Sequence, residues 1–162
     1  MDIGGVAALG GFFLSGAMMN IAILDVPVLL EVSHARSSDV LNHWGKLYEY
    51  GARLYPSISV TVGLLYLYAI LSSSKLSSRR SWIVFLVAAG TTLAMIPWTL
   101  LVMMPTNDTL MRARDLAGES KGAEVMLWEE VEGLVVHWQR LHFLRSLFPL
   151  VGSVIGVMGI TL

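Results

Sequence analysis

No cysteine occurs among the 162 residues, which excludes a disulfide framework, iron–sulfur clusters and thiolate metal sites. Charge is scarce as well: Asp, Glu, Lys and Arg make up 14% of the chain, against roughly a quarter in soluble domains. It nearly cancels, to a net −1, so electrostatics gives no case for nucleic acid. What charge there is comes in clumps. The stretches Ile3–Leu24, Leu54–Ser74, Ser81–Asn107 and Ser146–Leu162 hold no Asp, Glu, Lys, Arg or His. Apolar residues reach 55%, and the mean hydropathy is +0.66. A hydrocarbon layer about 30 Å thick is crossed by roughly 20 helical residues. The charge-free stretches are of that length, which excludes an ordinary soluble enzyme.

In lipid, backbone polar groups must pair internally, so such stretches are helices or barrel strands. They are twice as long as a barrel strand and lack two-residue alternation. The expectation is therefore all-α: an integral membrane four-helix bundle in a single domain, with spans at about 5–28, 54–74, 82–104 and 138–161. The first stretch begins Met-Asp and lacks a basic leader, so it reads as a retained span and not as a signal peptide. Gly152-x-x-x-Gly156 in the last span predicts close helix packing.

Three connections separate the spans. The first, Glu31–Arg53, carries Trp44, Tyr48 and Tyr50, with Tyr55 just beyond; the second is short and basic, with Lys75, Arg79 and Arg80. The third, Asp108–Arg140, is acidic and predicted helical after Gly122, leading into the last span. Basic density places the second connection and both termini in the cytoplasm, whereas the raw count of Lys and Arg favours the reverse.

Polar groups near span ends are where a membrane protein keeps its chemistry. The first span reaches Asn20 and Asp25-Val-Pro27. The third contains Ile96-Pro-Trp-Thr99 and ends Met104-Pro-Thr-Asn107, with prolines that each remove a helix hydrogen bond. A kink and a capping Asn107 would account for that segment without any ligand. The fourth opens with Trp138-Gln-Arg-Leu-His-Phe-Leu-Arg145, which puts Trp138, His142 and Arg145 on one helical face. An interfacial Trp, a snorkelling Arg and a water-facing His would explain each of these singly. His137 falls on a different face. Glu31-Val-Ser-His34 has the Glu-x-x-His spacing of di-iron bundles, but the second copy and two further glutamates are missing, so no metal is assigned.

Four segments, in order, resemble the anthrone oxygenase family of small four-helix membrane proteins. They are Asp25-Val-Pro27, Trp44-x-x-x-Tyr48-x-x-Gly51, Met104-Pro-Thr-Asn107, and Trp138-x-x-Leu-His142-x-x-Arg145. The resemblance covers roughly residues 10–160. It implies a monooxygenase of aromatic polyketide secondary metabolism that turns an anthrone into an anthraquinone, with molecular oxygen as co-substrate. Because the anthrone anion can pass an electron to oxygen without a metal or flavin, no cofactor is expected. Under that reading His142 is the base, Arg145 and Asn107 are oxyanion donors, and Trp44, Tyr48 and Trp138 wall a flat substrate. The partners it implies are a hydrophobic polycyclic aromatic and the lipid bilayer, with no nucleic acid; a homo-oligomer is compatible with the sequence. Two other classes compete. One is a haem- or quinone-linked electron carrier, with His34 and His142 as axial ligands; the other is a non-enzymatic membrane scaffold.

Overall fold

The computed structural model describes residues 2–33, 36–72, 79–119 and 126–161. Four helices account for nearly all of them: α1 (Ile3–Val32), α2 (Ser37–Ser72), α3 (residues 79–119) and α4 (Trp128–Thr161). Each is long and apolar enough to cross a membrane. Asp2 starts α1 as its N-cap, its Oδ1 accepting from the Gly5 amide at 2.7 Å. The first connection is not a loop over its expected length. α2 begins at Ser37 and runs through it, because Val40, Leu41, Trp44 and Tyr48 recur at helical spacing and turn inward. α3 likewise continues past Asn107 to Glu119 on the buried face Leu110, Ala113 and Ala117. Asn107 is thus an interior helical residue and not a cap. α4 starts at Trp128, in keeping with a helix that leads into the last span. His34, most of the second connection and Lys121 lie outside the described residues.

Two π-helical turns interrupt this regularity, Ile21–Asp25 in α1 and Thr99–Met103 in α3. Each lies just before a proline, Pro27 and Pro105. A proline ring presses on the carbonyl four residues earlier and leaves that carbonyl without its amide. Those carbonyls belong to Ile23 and Leu101, both inside the π turns. Widening the helix there relieves the pressure, which is how the sequence encodes the irregularity. In α1 the wider turn is spanned by Asn20, whose side chain donates to Asp25 Oδ1 at 3.2 Å. Pro97 gives the expected break, an α-helical interruption at Ala94.

α1 packs between α2 and α4, and the first half of α3 (Arg79–Leu93) closes the bundle against α2 and α4. Outward-facing positions are apolar: Phe13, Leu64, Leu71 and Leu101 are all largely exposed. The interior has two parts. Near the chain termini, Ala7, Val62, Tyr66, Phe85, Ala88 and Ala89 pack tightly. Gly152 sits so close to α3 that a Cβ there would stand 2.2 Å from Thr92 Oγ1 and 2.9 Å from the Ala88 carbonyl. A Cβ on Gly156 would stand 2.2 Å from the Tyr66 hydroxyl. Both glycines of the expected motif are points of close helix approach. The other half of the bundle is wider and filled by aromatics and methionines, including Trp44, Tyr55, Trp138, Met18, Met95 and Met103. The two π turns belong to this half.

Candidate active site

The wider half encloses a cavity of about 180 Å³ to which all four helices contribute. Ile21 comes from the π turn of α1, and Tyr48, Gly51 and Tyr55 from α2. The π turn of α3 brings Thr99 and Met103 to the wall together with Asn107 one turn later; α4 supplies Trp138, His142 and Arg145. Asn107, Trp138, His142 and Arg145 are buried, with His142 1% and Arg145 5% exposed. A buried guanidinium is costly unless it is held by hydrogen bonds. Arg145 Nη2 is 3.0 Å from His142 Nδ1, and Nη1 donates to Thr99 Oγ1 at 3.1 Å. Thr99 Oγ1 in turn donates to the Met95 carbonyl at 2.8 Å. The threonine hydroxyl therefore has a fixed orientation, with its lone pairs towards the arginine.

Donor and acceptor roles follow from the chemistry of the partners. Arginine has no acceptor, so His142 Nδ1 presents a lone pair to it, and the proton of the neutral ring resides on Nε2. Trp138 Nε1 donates to Asn107 Oδ1 at 2.9 Å. Because indole can only donate, the oxygen of Asn107 faces Trp138 and its Nδ2 is the free end. Among the described residues, Asn107 Nδ2, His142 Nε2 and Arg145 Nε have no hydrogen-bond partner. The Met18 carbonyl interacts with the His142 ring, but no hydrogen bond of normal geometry satisfies Nε2. Each such buried orphan costs about 1–3 kcal/mol. Asn107 and Arg145, which line the cavity, thus each carry a buried donor without a partner, as a site that gives hydrogen bonds to an oxygen-bearing ligand would.

Aromatic rings hold this polar wall in place. Trp138 stacks on His142 with ring centroids 4.7 Å apart and planes at 21°. Tyr55 lies 6.2 Å from the same imidazole, tilted by 59°. Trp44 meets Trp138 edge-on at 5.7 Å and stacks on Tyr48 at 5.3 Å. Tyr48 and Trp138 reach the cavity, whereas Trp44 is fully buried behind them and braces both rings. The structure thus brings together His142, Arg145, Asn107, Tyr48 and Trp138, with Trp44 one layer back. His137 and His43 are exposed, and the His43 ring bonds to the Asp39 carbonyl. Thr99 and Tyr55 are site residues that sequence reasoning missed. Thr99 sits within the proline-flanked segment Ile96-Pro-Trp-Thr99, and that segment was the available signal.

The class is now defined: an all-α membrane bundle whose buried cavity pairs an Arg–His couple with an aromatic wall. The anthrone oxygenase family model matches residues 44–155. The chain is 39% identical to anthrone oxygenase AgnL2 of Paecilomyces divaricatus, over 96% of this chain and 93% of that protein. It is 41% identical to anthrone oxygenase tpcL of Aspergillus fumigatus, over 93% and 88% of the two chains. With the noranthrone monooxygenase of Aspergillus flavus it shares 39% identity, over 96% of this chain and 71% of the relative. The chain belongs to the anthrone oxygenase family and is a monooxygenase. No solved structure matches it.

Proposed function

We propose that this enzyme, seated in a lipid bilayer, oxidises an anthrone-type polycyclic aromatic to the anthraquinone with molecular oxygen and no bound cofactor, within polyketide secondary metabolism. One observation carries the reading: unpartnered buried donors on Asn107 and Arg145, residues of an otherwise largely aromatic and apolar cavity wall. A flat ring system with an oxygen on its central ring satisfies both. The family and its anthrone-named relatives support the substrate class.

In the reaction, the substrate's C9 oxygen takes hydrogen bonds from Asn107 Nδ2 and the Arg145 guanidinium. These strengthen as charge builds on that oxygen, which is the condition for catalysis by electrostatic stabilisation. Moving Arg145 Nη2 from His142 to the substrate uncovers the Nδ1 lone pair. His142 then removes a proton from C10, whose C–H bond is doubly benzylic and conjugated to the C9 carbonyl. The resulting anthrolate gives one electron to oxygen, forming superoxide and a carbon radical. The two combine into a C10 peroxide, which recovers the proton from His142. Loss of the remaining C10 hydrogen with hydroxide from the O–O bond gives the second carbonyl and one water. One anthrone and one oxygen molecule leave as one quinone and one water.

The test is ligand discrimination. Binding of 1,8-dihydroxyanthraquinone to the reconstituted protein, read by quenching of tryptophan fluorescence, is expected to be competed by anthrone and not by anthracene. A hydrocarbon of the same shape that competes equally well would mean that the buried donors do not recognise oxygen.

A further inference from the structure

The wall of the cavity is not equally closed on all sides. Of the residues that line it, only Ala52 on α2 and Leu100 and Met104 on α3 are exposed; every other lining residue is buried or half-buried. Leu100 is 57% exposed and Met104 38%. The exposed lining residues therefore lie along one line, the seam between α2 and α3. The contacts between these helices explain it. α2 packs against α3 along Arg79–Leu93 and again along Met104–Glu119, but makes at most isolated contact with the stretch between, which holds Pro97 and the π turn. The Glu49–Arg114 ion pair pins the far side of the gap. The result is a window framed by Ala52 and Pro56 on one helix and by Leu100 and Met104 on the other. Its rim is apolar, and the unpartnered nitrogens of Asn107, His142 and Arg145 lie behind it, on the buried wall.

We infer that this window is the substrate's route: the polycyclic ring system enters sideways from the bilayer between α2 and α3, oxygen end first, and the quinone leaves the same way. The inference rests on the proposed function and adds the path and its gate. Depth supports it. Arg53 and Asp108 stand where the charge-free runs of α2 and α3 end, so the window opens at the edge of the hydrocarbon layer. A phenolic polycycle collects at that depth, rings in the apolar zone and hydroxyls at the polar boundary. Size supports it too. At about 180 Å³ the cavity is smaller than the roughly 300–1,000 Å³ of typical ligand sites, so a three-ring substrate must part the seam or fill it. Leu100, more exposed than Met104 and with a larger apolar side chain than Ala52, is the gate side chain.

The absence of cysteine makes the test clean. Leu100→Cys is reconstituted in phospholipid nanodiscs and treated with benzyl methanethiosulfonate, which adds a bulky apolar group that dithiothreitol removes. Leu64→Cys, 60% exposed on α2 in the opposite half of the bundle, is the control. Uptake of 1,8-dihydroxyanthraquinone is followed by tryptophan quenching and turnover of 1,8-dihydroxyanthrone by oxygen consumption. Modified Leu100→Cys is expected to take up the quinone about tenfold more slowly than the same variant unmodified, and dithiothreitol should restore the rate. KM should rise with kcat little changed, and modified Leu64→Cys should match its unmodified form. Ala52→Trp, from the other rim, should slow uptake in the same way. Unchanged uptake in both modified Leu100→Cys and Ala52→Trp overturns the window. A wild-type protein that takes up the quinone without oxidising the anthrone overturns the proposed reaction and leaves the uptake comparison to decide the route. A wild-type protein that does not take up the quinone overturns both.

Discussion

Replacing His142 separates its chemical role from its structural one. Removing the whole side chain, as in His142→Ala, deletes the ring that Trp138 stacks on and the acceptor of Arg145 Nη2. An aromatic pair of this kind is worth about 0.5–1.5 kcal/mol beyond its burial, and a hydrogen bond to a charged group about 1.5–3. The alanine variant therefore loses stability on the order of 2–4 kcal/mol, and lost activity could reflect lost protein. His142→Asn narrows the ambiguity, because it loses the stacking but keeps the acceptor for Arg145. Its amide oxygen sits near the position of Nδ1 and accepts from Arg145, yet an amide cannot take a proton at neutral pH. Arg145 stays anchored between residue 142 and Thr99, so the base is removed along with the stacking on Trp138 but without the loss of the arginine's partner. General-base catalysis contributes about 10²–10⁴-fold, which at 1.36 kcal/mol per decade is roughly 2.7–5.4 kcal/mol of barrier. Anthrone turnover, measured by oxygen uptake at equal protein level in membranes, should fall by that factor with KM changed far less. Turnover within about threefold of wild type, far short of that loss, would refute the assignment of His142 as base. Tyr48 would then be the next group to test.

Thr99→Val removes the hydroxyl that orients Arg145 while keeping the shape; kcat should fall about tenfold and KM stay close, as expected when a hydrogen bond worth about 1.5 kcal/mol holds a group used in the transition state. Asn107→Leu deletes a donor and the acceptor of Trp138 Nε1, so turnover should drop by about 10²–10³-fold and quinone binding weaken in the fluorescence assay. Gly152→Ala pushes a methyl against the Ala88 carbonyl and Thr92, far from the cavity, and should cost about 1–3 kcal/mol, seen as a lower thermal midpoint with specific activity retained in the folded fraction.

The helices were legible in the sequence because charge is excluded from lipid-facing stretches, and the four uncharged runs mark them directly. Their ends were not. α2 and α3 extend beyond those runs on faces formed by Val40, Leu41 and Trp44, and by Leu110 and Ala113, which a count of charges overlooks. Three members of the site, Trp138, His142 and Arg145, share a helical face and could be grouped by spacing alone. Asn107 joined them because the third run ends where the fourth begins. Thr99 was hidden for a different reason. The π turn at Thr99–Met103 changes the angular relation between Thr99 and Asn107, and ordinary helical periodicity does not describe it. Trp44 is conspicuous as a sequence motif, but its ring supports the wall from behind and does not form it. Sequence spacing gives the face of a helix and not the layer.

The central claim is that the cavity of Asn107, His142 and Arg145 carries out the oxidation of an anthrone by molecular oxygen. It is tested most directly by supplying membranes that contain the protein with 1,8-dihydroxyanthrone under ¹⁸O₂ and weighing the quinone formed. The expected result is one ¹⁸O per quinone, formed faster than in membranes carrying the His142→Asn variant or no protein. Quinone that forms at the same rate in all three membranes, or whose new oxygen comes from water, would contradict it.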